Sequence, residues 1–275
     1  MKRYKDQENL SALKKRILFA FLFALLLVIA PGVRAQNVIL NLQGYNKQPY
    51  HFGFILGMNI MNFAVKPVEN LAQINWTNKQ SPDFSVDTTS GYIHVNSITA
   101  SAAPGFSVGI LGNLRLMKHL DLRFIPTLSF GSRMLNYGIE ARGLNGTPAD
   151  SISKFIVPKK VNSTYISFPL LIKYRSWRKG NYGAYFIGGI NYSIDLAAAK
   201  KIKQDSQTGV IKLKTRDIGA EIGAGFDFYN AYFKLGVEAK MIFGLKNLVV
   251  NDNTFYSGSI NQLHSKVFML SFTFE

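Results

Sequence analysis

Four histidines, His51, His94, His119 and His264, are the side chains of this 275-residue sequence best suited to moving protons or holding a metal. None stands at the HExxH spacing that brings two imidazoles onto one zinc ion, and they fall in four separate segments. The sequence has no cysteine, so it has no thiolate ligands and no disulfides. His264 and Ser265 offer two parts of a serine hydrolase, but neighbours in an extended strand project to opposite faces. The glycine run GAEIGAG (219–225) lacks the GxGxxG order of a dinucleotide loop. No catalytic, cofactor or metal site is therefore expected.

The charged residues carry a clearer pattern. Arg115, Arg123, Lys173, Arg175, Glu221, Asp227, Lys234, Glu238 and Lys240 each alternate with large apolar side chains at a period of two. Eight segments share this alternation: 50–61, 105–116, 120–130, 165–174, 182–194, 217–229, 232–244 and 267–275. Each is near the roughly ten residues that a tilted strand needs to cross a bilayer. One face is continuously apolar, as with Phe52, Phe54, Leu56, Met58 and Ile60. The other mixes glycine, small polar groups and both signs of charge. Apolar outside and polar inside is the code of an outer-membrane barrel. The expected fold is thus all-β, an antiparallel up-and-down transmembrane barrel of eight strands. Eight strands enclose little more than side chains, so the nine charged residues predict a salt-bridged, plugged lumen.

The connections alternate in length. Those at 117–119, 176–181 and 230–231 are short, and those at about 62–104, 131–164, 195–216 and 245–263 are long. Short turns belong in the periplasm and long loops outside. Trp177, Tyr182, Tyr229 and Tyr232 fall at the turn ends, where an aromatic girdle is expected. The final run VFMLSFTFE points Phe268, Leu270, Phe272 and Phe274 to one face, as a terminal insertion signal displaced one residue by Glu275. Pro126 and Pro169 fall inside strands, where each removes a ladder hydrogen bond and suggests a bulge.

At the other end, Lys14-Lys15-Arg16 precede the apolar run 17–30 and the small-x-small site Val33-Arg34-Ala35. That order reads as a secretory signal peptide cleaved after Ala35, since the run is short for a spanning helix. The domain reading is a leader at 1–35, a periplasmic segment at 36–49 and the barrel at 50–275. Removing the leader takes seven basic and two acidic side chains and lowers the formal charge from +16 to +11. Nucleic acid is the usual partner of a basic chain, but an exported chain without a recognised binding motif points instead to anionic lipid head groups.

Three stretches, NLQGYNKQPYHFGFILGMNIMNF (41–63), GFSVGILGNLRLMKHLDLRFIPTLSFGSRMLNY (105–137) and YISFPLLIKYRSWRKGNYGAYFIGGINYSIDL (165–196), together resemble the PorT-type outer-membrane barrels. These form a branch of the wider outer-membrane "porin" group. The FIP and SFPLLIKY elements are shared with the wider group, and the HFGFxLGxN strand with the branch. The resemblance implies a non-enzymatic barrel that works with other proteins of the type IX secretion machinery and, in gliding bacteria, with motility. It carries over no catalytic residues, cofactor or small-molecule substrate. A passive small-solute porin, an outer-membrane structural or adhesion barrel and an outer-membrane lipid hydrolase remain the alternatives at this point.

Overall fold

The computed structural model describes residues 39–76, 81, 83, 91–144, 151–202, 211–252 and 254–275. The chain divides into two units, Met1–Ile39 and Leu40–Glu275. The expected leader and its cleavage site lie outside the described residues, and the fold below is that of the second unit.

Among the described residues, nine strands make one antiparallel sheet: β1 Tyr50–Pro67, β2 Tyr92–Arg115, β3 Leu120–Phe124, β4 Thr127–Arg142, β5 Ile152–Arg175, β6 Tyr182–Asp195, β7 Arg216–Tyr229, β8 Lys234–Gly244 and β9 Ile260–Phe274. β3 and β4 share one place between β2 and β5, so the strands follow eight tracks. β1 pairs with β2 on one side and with β9 on the other, and the ladder comes round on itself.

The two in-strand prolines do not make the expected bulges. Phe124 faces Leu170 and Thr127 faces Ser167, so the register against β5 is the same on both sides of Ile125–Pro126. Against β2, Gly112 faces Phe124 and Gly109 faces Thr127, again without a shift. Hydrogen bonds from Ile110 N to the Pro126 carbonyl (3.1 Å) and from Ile125 N to the Pro169 carbonyl (3.3 Å) span the gap. A proline deletes a donor, but slipping by one residue would turn every side chain to the wrong face, so the alternation holds the register. The register shifts lie instead at Val95/Ser97 and Ala102/Phe106 in β2 and at Lys66/Pro67 in β1.

Several strands are longer than a bilayer crossing requires. β2 and β5 have 24 residues each, against 14 in β6 and β7 and 11 in β8. Much of the sequence expected as loop at 62–104 and 131–164 is therefore strand. The reason is an exchange of polarity at one level of the wall. Along β5 the outward residues run Ile172, Leu170, Phe168 and Ile166, then Thr164, Asn162, Lys160 and Pro158. The inward residues change from Arg175 and Lys173 to Val161 and Val157. β4 does the same, passing from Phe130 to Ser132 outside and from Arg133 to Leu135, Tyr137 and Ile139 inside. Below this level the sheet is wetted by hydrocarbon on its outer face. Above it the inner face becomes apolar and the outer face mainly polar, as in a water-soluble sheet, with Met134, Ile152 and Ile156 as exposed exceptions.

The long loops fold onto that upper inner face. A 3-10 turn at Leu71–Gln73, helix α1 (Leu196–Ile202), the bridge Leu213–Val249 and helical turn α2 (Phe255–Gly258) deliver apolar side chains into it. Thr254 caps α2 by accepting from Ser257 N. Leu71, Leu213, Leu248, Phe255 and Tyr256 pack there against Phe63, Ile93, Leu135, Tyr137 and Leu263 as one buried cluster.

Candidate functional site

The lower interior is built from the residues that alternate with the apolar band, so strand parity alone turns them inward. Among the described residues, five cations and five carboxylates meet there. Arg123 is wholly buried, with Nη1 donating to Glu238 Oε2 at 2.6 Å and Nη2 to Glu275 Oε1 at 3.1 Å. Lys173 Nζ lies 3.0 and 2.8 Å from the two oxygens of Asp227 and 3.7 Å from the Tyr185 ring centroid. Lys234 pairs with Glu275 at 2.8 Å, and Lys240 with Glu221 at 2.9 Å and Glu238 at 3.5 Å. Arg175 holds Asp121 through Nε (2.6 Å) and Nη2 (2.9 Å). Tyr185 OH donates to Glu238 and Asn191 Nδ2 to Glu221, each at 3.1 Å.

Equal numbers of opposite charges make this arrangement tolerable away from bulk water. A buried ion pair roughly breaks even against its desolvation, while one partner left alone costs about 3–5 kcal/mol. Glycine supplies part of the room. A Cβ at Gly225 would stand 2.5 Å from the Tyr185 ring and 2.6 Å from the Val237 carbonyl oxygen.

Eight of the nine charged residues picked from the sequence lie in this network. Arg115 does not: it is half-buried at the rim, where Nη1 donates to the Lys47 carbonyl at 2.8 Å. Asp121 and Glu275 were missed as members, although both share the inward parity of their strands. Phe268 and Phe272 face outward and exposed, and Leu270 and Phe274, half-buried, share that face. Trp177, Tyr182 and Tyr232 are exposed at the short-turn end, but Tyr229 is not part of that girdle. Phe228 takes the outward position, so Tyr229 turns inward and donates to Asn46 Oδ1 at 3.0 Å under the Arg178 guanidinium.

Residues 40–49 lie beneath the network and close its short-turn end. Asn41 Nδ2 donates to the Tyr229 carbonyl (3.0 Å), and Arg178 Nη1 donates to the Leu42 carbonyl (3.3 Å). The Tyr45 ring stacks on His51 at 3.9 Å and receives the Lys234 ammonium at 4.9 Å.

Above the network sits a cavity of about 30 Å³, room for about two waters, lined by Thr127, Ser129, Ser167, Asn191, Asp217 and Glu221 among others. Beyond it Arg133, fully buried, donates to Ser265 Oγ (3.0 Å), Ser163 Oγ (2.8 Å) and the Tyr165 hydroxyl, and lies over the Phe63 ring at 4.1 Å. Ser265 is thus an acceptor of the Arg133 guanidinium, and His264 lies on the opposite face of β9, so the two are not a nucleophile and its base. Among the described residues no three His, Asp or Glu converge as ligands for an ion. Among the described residues the interior thus holds, in order, a polypeptide stopper, a neutral charge network, a chamber for about two waters and an apolar plug.

Against known proteins, the family model described as "Outer membrane protein beta-barrel domain" matches residues 35–250. No curated protein matches the chain. Among solved structures, similarity is found to the outer membrane protein OprG from Pseudomonas aeruginosa, at 14% identity over 83% of this chain and 97% of that one, with a TM-score of 0.35. Neisserial surface protein A is similar at 11% identity over 82% and 98%, TM-score 0.36. The outer membrane protease OmpT from Escherichia coli is similar at 11% identity over 82% and 96%, TM-score 0.30.

Proposed function

We propose that this chain, which belongs to the outer membrane protein beta-barrel domain family, works as a closed, non-enzymatic and non-conducting barrel component of a protein-export assembly. The observation that carries the reading is the filled interior. Every charged side chain of the lower network has an opposite partner within 3.1 Å, and the upper half is an apolar core. Such a lumen offers solute no path. What the fold adds to the membrane is its surface: an upper sheet with a polar outer face.

The export role and its partners rest on the resemblance of residues 41–63, 105–137 and 165–196 to the PorT-type barrels of type IX secretion and gliding motility. In this reading the leader is cleaved after Ala35, Phe268, Leu270, Phe272 and Phe274 serve in insertion, and the short turns face the periplasm. Removing the gene is expected to abolish secretion of exported cargo, and mild-detergent purification to bring down other secretion proteins. Unchanged secretion would end the reading. A passive porin is the second reading. It requires steady single-channel conductance of the purified protein in a planar bilayer, where the filled lumen predicts none.

A further inference from the structure

The two rims of the barrel use their cations differently. At the short-turn end, Arg115 donates to the Lys47 carbonyl, Arg178 to the Leu42 and Gly180 carbonyls, and Lys118 lies on the Trp177 ring at 4.2 Å. At the long-loop end, Lys214, Arg216 and Lys246 are exposed, and among the described residues none has an ion pair. All three line one open groove of about 580 Å³ with Thr215, Asn247 and Val250. The stretches that form it, 211–216 and 244–251, contain no carboxylate.

The groove has a fixed backbone. Lys214 N donates to the Leu248 carbonyl and Leu245 N to the Ile218 carbonyl, both at 2.8 Å, and Leu213 bridges Val249. Alternation then places Arg216 on the same outward face as Ile218 and Ile222, one step above the hydrocarbon-facing band, and Lys214, across the bend at Thr215, is exposed beside it. Exposed Leu245 and Phe243 continue that band beneath the groove, and Lys266 of β9 extends over the Phe243 ring at 5.8 Å. Cations stacked directly over apolar side chains fit a molecule with a phosphate head and acyl chains. Arginine suits the planar, two-pronged contact with a phosphate.

We propose that this groove binds the phosphate groups of a phosphorylated glycolipid of the outer leaflet, whose acyl chains lie along Ile218, Phe243 and Leu245. The assignment rests on the orientation given above, with the long loops outside. The test uses the full-length protein in detergent micelles, titrated with bisphosphorylated lipid A and followed by native mass spectrometry. Each cation near a lipid surface contributes about fivefold, so Lys214→Ala/Arg216→Ala/Lys246→Ala is expected to weaken binding about a hundredfold. Lys214→Arg/Lys246→Arg should restore wild-type binding. Heat-modifiable gel migration of each variant confirms that the barrel has formed. Equal binding by the folded triple variant would overturn the site. Equal binding of a phosphate-free lipid A would overturn phosphate recognition, and competition by millimolar inorganic phosphate would reassign the groove to free anions. Orientation is read separately. The sequence lacks cysteine, so Asn247→Cys gives a single thiol. Labelling in intact cells by an impermeant reagent supports the outer location, and labelling only after lysis overturns it.

Discussion

The lower and upper halves of the interior solve the same problem in opposite ways. Both must fill a narrow tube without leaving a polar group alone. The lower half sets five cations against five carboxylates, held between strands whose outer faces are already committed to lipid. The upper half uses the loops as a core, burying Phe255, Leu248 and Leu213 against Tyr137, Leu135 and Ile93. Ion pairs are the solution that needs no extra chain, because the strands themselves supply both partners. An apolar plug needs additional chain, and the long loops provide it.

The contrast should appear most strongly when one charge is removed below. Arg123→Ala leaves Glu238 and Glu275 without their shared partner, and is expected to cost about 3–5 kcal/mol in urea unfolding from detergent. Phe255→Ala should cost about 3 kcal/mol or more, but mainly in the upper half. Its loops should become cleavable by protease while the barrel keeps its heat-modifiable migration. The two tryptophans separate these outcomes. Trp76 packs against the plug and Trp177 lies on a short turn. With Trp177→Phe as background, fluorescence should report the Phe255→Ala change, and with Trp76→Phe as background it should not.

A smaller effect is expected at the clasp above the plug. Tyr256 donates to Asp83, and Lys159 pairs with Asp83 while lying over the Tyr256 ring at 4.3 Å. Tyr256→Phe removes one hydrogen bond and should cost about 1 kcal/mol. Burial first, and then the Asp83 carboxylate, push the Tyr256 phenol up from its ordinary value. The folded protein therefore keeps this proton where the unfolded chain has lost it. Its contribution is complete below about pH 10 and declines as pH rises further, which protease sensitivity of the loops between pH 9 and 11 would register. Least affected should be the pair of exposed Lys154 with half-buried Glu140 on the outer face of the upper sheet. Lys154→Ala is expected to leave unfolding unchanged, and a measurable loss there would blur the distinction between the halves.

The sequence showed the lower half and hid the upper. Alternation with apolar residues outward marked all eight tracks, and the same parity placed Arg123, Lys173, Glu221, Asp227, Glu238 and Lys240 inside. Residues 133–142 alternate almost as regularly but in the opposite sense, and 152–164 do so less cleanly, with Ile152 and Ile156 outward and Lys159 inward. Leu135, Tyr137 and Ile139 face in, while Lys154 and Lys160 face out. A search for lipid-facing strands passes over that phase. The sustained alternation of Leu135, Tyr137, Ile139 and Ala141 was the available signal. Which carboxylate meets which cation depends on register between distant strands. Arg123 and Glu275 are 152 positions apart, and spacing along the chain carries no such information.

The polarity exchange also works as a waterline. Within two residues of each long strand, the outer surface passes from oil-loving to water-loving and the inner surface does the reverse. Sinking the molecule by a single pleat pair would draw Lys160 and Asn162 toward oil, while raising it would expose Phe168 and Phe130 to water. The depth at which this protein floats is thus written twice, once on each side of its wall, and a thicker or thinner membrane would have to deform to meet it.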